Sequence, residues 1–450
     1  MAIEVNDEVK ELTERSMLLN VGPSHPAMHG VIRILTQLDG ETVVKADVEI
    51  GYLHRGFEKS CEEGGYNQAI PYTDRLNYVS PLINNFGYCL AVEKLMGIEI
   101  TERCRFIRVI MSEISRVCDH LTCVGASAME VGAMTVFLYM IKAREYLWEL
   151  IEDVTGARLT ISYGRVGGVS GDLPEDFGEK ARAAFKKVRE VLVEVDKLLS
   201  RNRIFVDRMK GVGIISREDA ITYGFAGPMA RSVGIDLDLR RDQPYLVYDR
   251  LKFDVPLGEV GDNLDRYYVR MKEMEQSLRI AEQALAILPG GAVSVDATGK
   301  AIEARDMVDR AKVGQTRGIM ETLVQLSPNL EGLEGPMYRQ VQAKEKRAVL
   351  PAKRETYGNI EGLMNHFMLI MDGQGIRPPK GEAYAAVEGA NGELGFYVVS
   401  DGTDRPYRVR VRAPCFALMS GLHKMLEGYM LADMVPTFGS VNMIAGELDR

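Results

Sequence analysis

The chain has 450 residues, of which 46% are hydrophobic and 26% are charged, and its formal net charge is −9. These values are ordinary for a folded protein with room for two or three lobes, and the negative charge argues against a general nucleic-acid surface. No apolar run approaches the roughly eighteen residues that cross a bilayer, and the first residues lack a signal-peptide pattern. We therefore expect a chain that stays in the cytoplasm and meets a membrane only through partner proteins.

The first predicted elements are β-strands between residues 17 and 50, with a turn at Asp39 and Gly40. Within this region, residues 22–30 read GPSHPAMHG and place His25 and His29 four residues apart. Proline fixes the backbone and glycine permits a tight turn, so the sequence predicts a shaped loop that displays both histidines.

Long helices are predicted for the middle of the chain. Apolar residues recur at helical spacing from 74 to 156, punctuated by Gly97 and Gly125 and ended by Gly156. Capping signals predict further helices at about 174–199 and 262–288. These segments together indicate a helical bundle.

The last third of the chain has a mixed pattern. An amphipathic helix is predicted at about 303–326, and strand patterning returns over 382–411 with turns at 391–392 and 401–402. A short helix is predicted at about 417–431.

The six cysteines of the chain include no C-x-x-C pair; they are Cys61, Cys89, Cys104, Cys118, Cys123 and Cys415. A zinc ribbon or an iron–sulfur cluster held by the chain itself typically needs such closely spaced thiolates. In a cytoplasmic protein, isolated cysteines are typical of reduced, buried thiols. We therefore expect this chain by itself to bind no metal or cluster.

Short motifs spread over nearly the whole chain resemble the 49 kDa-type (D-type) subunit of respiratory complex I, the NADH:quinone oxidoreductase. Each motif is short, but their order and spacing together are specific. They are GYLHRGFEK at 51–59, YTDRLNY at 72–78, EISR at 113–116, VTGAR at 154–158, RVGG at 165–168, DVPLGE at 254–259, RAP at 412–414 and GELDR at 446–450.

The resemblance implies an α+β fold like that of the nickel-iron hydrogenase large subunit, to which this family is similar. We expect a β-rich N-terminal lobe over 1–72, a central bundle of long helices over 73–290, an insertion over 291–358 and a C-terminal α/β lobe over 359–450. We expect the C-terminal lobe to pack against the first two lobes and to complete the functional pocket.

A hydrogenase subunit is therefore the first alternative function. Hydrogenases hold nickel and iron with two cysteine pairs, and in the family alignment these pairs fall on Asn77 with Ser80 and on Cys415 with Leu418. One thiolate cannot chelate such a centre. The sequence predicts that Cys415 is a core residue and that the emptied site holds a flat apolar headgroup.

The resemblance implies that this headgroup is a quinone, either ubiquinone or menaquinone. His29 and Tyr78 stand where the family binds it, and each side chain can donate a hydrogen bond and a proton to one quinone oxygen. Glu130 stands where the family has an acidic residue that orients the imidazole, although aspartate is commoner there. His25 and Met28 are expected to support the pocket.

The resemblance also implies protein partners, the other complex I subunits. Electrons would arrive from the [4Fe–4S] cluster of the adjacent B-type subunit, and Arg75 and Thr160 stand at positions that face this cluster. A histidine is frequent at the position of Thr160, and threonine cannot titrate. The other expected neighbours are the C-type and I-type subunits and the H-type membrane subunit. With these partners, we expect the chain to be a peripheral part of a proton-translocating complex at the cytoplasmic face of a bacterial inner membrane.

A catalytically silent scaffold that joins iron–sulfur and membrane subunits is the second alternative. The hydrogen-bond donors of His29 and Tyr78 argue against it. Asp119 and His120 lie next to each other on a predicted helix, and we expect a buried structural hydrogen bond there rather than a site.

Overall fold

The structure is a computed structural model, and it describes residues 16–296, 299–302, 353–358, 360–371 and 375–450. The helix predicted at 303–326, and most of the insertion predicted at 291–358, lie outside these residues and stay predictions. The described chain is a mixture of helices and small antiparallel sheets.

The N-terminal sheet has three antiparallel strands in the order β1-β2-β3: β1 (Ser16–Val21), β2 (Arg33–Asp39) and β3 (Thr42–Glu49). Alternate residues of β2 are buried, beginning with Ile34, because successive side chains of a strand point to opposite faces. Gly40 has a φ of +62° in the turn between β2 and β3. The predicted strands and their turn are confirmed.

The helices of the described residues range in length from four to 29 residues. They are α1 (Phe57–Glu63), α2 (Ile70–Thr73), α3 (Pro81–Met96), α4 (Glu102–Glu130), α5 (Met134–Thr155), α6 (Phe177–Leu199), α7 (Arg203–Met209), α8 (Arg217–Thr222), α9 (Gly227–Ser232), α10 (Leu239–Asp242), α11 (Asn263–Ala286), α12 (Lys353–Gly358), α13 (Ile360–Ile370), α14 (Pro414–Ser420), α15 (Leu422–Leu426), α16 (Leu431–Val441) and α17 (Ala445–Asp449). Single 3-10 turns lie at Pro26–Met28 and Tyr248–Arg250.

Helix α4 is the axis of the central bundle and packs against α3, α5 and α11. Gly97 and Gly156 end α3 and α5 in the left-handed conformation, as predicted. The prediction that Gly125 punctuates the helical region is wrong, because this residue lies inside α4. A Cβ atom there would lie 3.1 Å from Cβ of Met140, so the glycine allows α4 and α5 to approach closely.

The other two long helices begin where the capping signals predicted. Asp176 precedes α6, and the carboxylate of Asp262 accepts a hydrogen bond of 2.8 Å from the amide of Asp265 at the start of α11. Both helices bury apolar residues in the same core as α4 and α5.

Two further sheets follow. Four two-residue strands form the small sheet β4 (Gly164–Arg165), β5 (Gly168–Val169), β6 (Ser294–Val295) and β7 (Ala301–Ile302). The C-terminal sheet contains β8 (Gly381–Gly389), β9 (Gly392–Ser400) and β10 (Arg408–Arg412) in the antiparallel order β10-β9-β8. Its strands and turns confirm the pattern predicted for 382–411.

The prediction of a single helix at 417–431 is wrong. The segment forms the short helices α14 and α15, and Gly421 lies between them because a Cβ atom there would come within 2.8 Å of the Phe225 ring. The chain then extends along β3, where the amide of Val43 donates to Tyr429 and the amide of Gly428 donates to Val43. Pairing with a strand therefore ends the helix before residue 431.

The N-terminal sheet and the C-terminal helices share one apolar core. Ile34 and Val43 from the sheet lie in the same buried cluster as Leu418, Phe438 and Leu448. The N-terminal sheet and the C-terminal helices thus meet beside the central bundle, although the domain boundaries themselves stay predictions. Among the described residues, no helix combines the length and the apolar character needed to cross a membrane.

A buried ion cluster joins the bundle to the C-terminal sheet. Its members are at most 2% exposed and come from five elements and the turn before α10; they are Glu113, Arg116, Arg231, Asp238, Arg240, Glu273 and Glu388. Arg240 lies within 3.2 Å of three of the carboxylates, those of Glu113, Asp238 and Glu273. The adjacent guanidinium groups hold the pKa values of Glu113 and Glu273 below the ordinary value and that of Asp238 at about 2, against the effect of burial.

Candidate functional site

The GPSHPAMHG loop is anchored by one apolar residue. Met28 is fully buried in the shared core, whereas His25 and His29 are both exposed. Nδ1 of His25 accepts a hydrogen bond of 3.2 Å from the amide of Ala27, so this imidazole caps the 3-10 turn. His29 ends this turn in the left-handed conformation, with a φ of +54°.

Helix α16 and the end of α4 form the surroundings of His29. The rings of His29 and Phe438 meet edge to face, with 5.4 Å between their centroids. Nε2 of His29 lies 3.6 Å from Oε1 of Glu130, the last residue of α4. The structure therefore brings together the two residues that the sequence assigned to one pair.

The two members of this pair differ in exposure. The side chain of His29 is 39% exposed and that of Glu130 only 8%. Burial raises the pKa of Glu130, while the imidazole of His29 acts in the opposite direction. In the described part of the chain, Oε2 of Glu130 is buried without a hydrogen-bond partner. The contact with His29 therefore opposes the burial that raises the pKa of Glu130.

Gly439 makes room for the longer acidic side chain. A Cβ atom at this position of α16 would overlap Oε2 of Glu130 and lie 2.7 Å from its Cδ. The sequence left open whether glutamate could reach His29 in place of the commoner aspartate. In the structure, the extra methylene of Glu130 is accommodated because Gly439 has no side chain.

We predict that Gly439→Ala moves the Glu130 carboxylate away from His29 without unfolding the chain. Alanine is favoured over glycine inside a helix by about 0.5–1 kcal/mol, so the loss is local. Weakening the contact between Glu130 and His29 by about 1 kcal/mol would slow turnover of the assembled enzyme roughly five-fold. Steady-state kinetics should show this loss, and adding Glu130→Asp should restore turnover because the shorter side chain clears the methyl group. No rescue by the second substitution would contradict the steric argument.

Tyr78 lies in the loop between α2 and α3 and is 38% exposed. Burial raises the pKa of Tyr78, and the carboxylate of Asp119 adds to this increase while the Arg55 guanidinium opposes it. The phenol therefore keeps its proton at neutral pH and can act as a hydrogen-bond donor.

Two of the other predicted site residues lie in segments that are hydrogen-bonded to each other. Arg75 and Thr160 are exposed, and the guanidinium of Arg75 donates to the carbonyl of Pro71. Ser162 donates both its amide and its hydroxyl to the carboxylate of Asp74, at 2.9 and 2.6 Å. These bonds hold the segment that carries Thr160 beside the residue that precedes Arg75.

The four positions where a hydrogenase would have cysteines lie in the protein interior. Cys415 and Leu418 are fully buried, and burial raises the pKa of the Cys415 thiol well above its ordinary value, so the prediction of a core residue is confirmed. Asn77 and Ser80 both donate to Asp119. Among the described residues, no group of three or more His, Cys, Asp and Glu side chains is arranged to hold a metal ion.

The sequence predicts candidate residues with reactive side chains but gives no sign of the contacts that position them. The buried hydrogen bond expected at Asp119 and His120 is present at Asp119, which accepts from Asn77. Nε2 of His120 lies 3.2 Å from Oε2 of Glu273, but among the described residues neither ring nitrogen of His120 has a hydrogen-bond partner. Phe438 carries no local signal that links it to His29, since only the fold brings the two residues together.

Comparisons with known proteins agree on one family. The sequence profile described as respiratory-chain NADH dehydrogenase, 49 Kd subunit, matches residues 130–450. The chain is 47% identical over 447 residues to a D-type NADH-quinone oxidoreductase subunit of Sorangium cellulosum, covering 99% of this chain and 98% of that relative. It is 48% identical over 439 residues to the D-type NADH-quinone oxidoreductase subunit of Myxococcus xanthus, covering 98% and 94%.

A third relative is a longer protein. The chain is 46% identical over 439 residues to the C/D-type NADH-quinone oxidoreductase subunit of Bdellovibrio bacteriovorus, and the match covers 98% of this chain and 70% of that relative. His29 and Tyr78 precede the part matched by the family profile but lie within the span shared with the Sorangium cellulosum relative.

Proposed function

The chain belongs to the family of the 49 kDa subunit of respiratory-chain NADH dehydrogenase, and we propose that it forms the quinone-reduction pocket of an NADH:quinone oxidoreductase. The observation that carries this proposal is the His29–Glu130 pair, with 3.6 Å between Nε2 and Oε1, at the end of the central helix. The exposed Tyr78 supplies a second donor on a loop fixed to that same helix.

Reduction of a quinone to a quinol takes up two electrons and two protons. A chain without a redox group of its own can contribute donors placed at the two quinone oxygens, and His29 and Tyr78 have this chemistry. Electrons would be supplied by the [4Fe–4S] cluster of the adjacent B-type subunit, which Arg75 and Thr160 would face. His25 and Met28 hold the loop that carries His29, and Glu130 compensates the charge on the imidazole.

The same proposal includes the assembly around the chain. The names of the relatives support partner subunits of the NADH-quinone oxidoreductase, and the C/D-type relative supports a C-type subunit as one neighbour. The B-type and I-type subunits and the H-type membrane subunit complete the proposed contacts, at the cytoplasmic face of a bacterial inner membrane. The proposal also includes a resemblance to nickel-iron hydrogenase large subunits. The quinone pocket of this chain would correspond in position to the metal centre of those proteins.

Photolabelling tests whether the quinone meets this chain. A quinone with a photoreactive group on its ring, irradiated in the assembled complex, is expected to label the loops at 22–30 and 77–80, and a short-chain quinone should compete with the label. Labelling confined to other subunits would instead favour the scaffold alternative.

A further inference from the structure

Asp119 lies in the middle of α4 and is fully buried. Its carboxylate accepts three hydrogen bonds from neutral side chains: Nδ2 of Asn77 at 2.8 Å, Oγ of Ser80 at 2.7 Å and Nδ2 of Asn442 at 2.8 Å. A buried carboxylate is costly unless its oxygens are satisfied, so these three donors are bound to it tightly.

Two of the donors fix the loop that carries Tyr78. Asn77 and Ser80 flank this residue, and Oδ1 of Asn77 also accepts hydrogen bonds from the amides of Val79 and Ser80. The side chain of Asn77 therefore closes a tight turn and ties that turn to α4. The backbone around Tyr78 has little freedom while Asp119 remains in place.

The third donor fixes α16. Asn442 ends this helix in the left-handed conformation with a φ of +60°, and its amide group donates to Asp119 and, at 2.6 Å, to Oδ1 of Asn391. Helix α16 carries Phe438 and Gly439, which contact His29 and Glu130. One carboxylate is thus bonded to the Tyr78 loop and to the helix against which His29 packs.

We propose that Asp119 is a positioning residue for quinone reduction, because its carboxylate sets the spacing between the Tyr78 hydroxyl and the His29 imidazole. This inference rests on the proposed function. Both donors must reach the oxygens of one rigid headgroup, and a misplacement of about 1 Å can cost roughly a hundred-fold in rate. Asp119 itself is buried and transfers no proton to the quinone.

The test compares the assembled complex with Asp119→Asn and with the exchange Asn77→Asp plus Asp119→Asn. In the single variant two amide groups face each other, and we expect kcat for a short-chain quinone to fall about ten- to a hundred-fold with little change in KM. In the exchange, the amide at 119 donates to the carboxylate at 77, and kcat should return to within about threefold of the starting protein. An unchanged kcat in Asp119→Asn, or no recovery in the exchange, would overturn the proposal.

Combination with Tyr78→Phe separates positioning from general damage. If Asp119 acts through the placement of Tyr78, Asp119→Asn should slow the Tyr78→Phe complex by much less than it slows the starting complex. A general structural role would slow both complexes equally and would contradict the proposal.

Should the Asp119→Asn complex fail to assemble, Ser80→Ala is the second variant, because it removes a single donor to Asp119. An unchanged kcat in Ser80→Ala would also overturn the proposal. If Tyr78→Phe leaves kcat unchanged, the proposed function fails. If Tyr78→Phe lowers kcat but the Asp119 variants do not, only the positioning role of Asp119 fails.

Discussion

Replacement of Tyr78 by phenylalanine is expected to lower quinone reductase turnover about ten- to a hundred-fold while the complex still assembles. The ring continues to pack, but the hydroxyl that donates to the quinone is lost. A hydrogen bond made chiefly in the transition state is worth about 1–3 kcal/mol, which corresponds to this range of rates. The measurement is steady-state turnover with a short-chain quinone, together with the amount of assembled complex.

Tyr407→Phe is a matched control for this prediction. Tyr407 is 70% exposed and lies before β10, on a segment that the proposed pocket does not use. We expect the control to leave turnover unchanged. Equal turnover in Tyr78→Phe and the control would remove the phenol from the mechanism and leave His29 as the one donor supplied by this chain.

The sequence predicts elements well where the signal is local. Burial alternates along β2, and α6 and α11 begin within three residues of their predicted starts, so short windows of sequence decide these elements. The prediction for 417–431 failed because the extended segment pairs with β3, nearly 400 residues away in sequence. No window around residue 428 contains that information.

The residues of the candidate site also fall into two groups: those that local motifs predict, and those whose contacts only the fold defines. His29 and Tyr78 were predicted from motifs, since their side-chain chemistry and their neighbours in sequence are distinctive. The dependence of Glu130 on Gly439 and the three hydrogen bonds of Asp119 join residues that lie far apart in the chain. These contacts fix the distances on which proton donation depends, and only the folded chain defines them.

The buried ion cluster is a further feature that the sequence did not predict. The EISR motif at 113–116 supplies two of its members, yet their partners come from α9, α10, α11 and β8 and the turn before α10. The cluster lies at the middle of α4, close to Asp119 and His120, and Glu130 is the last residue of the same helix. Damage to the cluster would therefore reach the site through the position of α4.

Arg240→Met is expected to lower the free energy of unfolding of the chain by about 3–5 kcal/mol, because it leaves buried carboxylates without their cation. Arg240 is 1% exposed and donates to Glu113, Asp238 and Glu273. Denaturant unfolding of the purified chain, followed by the fluorescence of its one tryptophan, Trp148, measures the change. The adjacent Arg241→Met is the control: its ion pairs with Asp236 and Asp242 are partly exposed, so it should cost less than about 1 kcal/mol.

The pH dependence of this loss gives a second check. Arg240 helps to hold the pKa of Asp238 at about 2, below its unfolded value, so this stabilisation is present above the unfolded pKa and is lost as the pH falls through the folded pKa. In Arg240→Met the pKa values of the three carboxyl groups rise, and a protonated carboxyl no longer needs the cation. The difference in unfolding free energy between the variant and the starting protein should therefore shrink as the pH falls toward about 4 and below. A difference that stays constant over this range would show that lost packing against the Phe253 ring, 5.1 Å from the guanidinium, and not charge, accounts for the destabilisation.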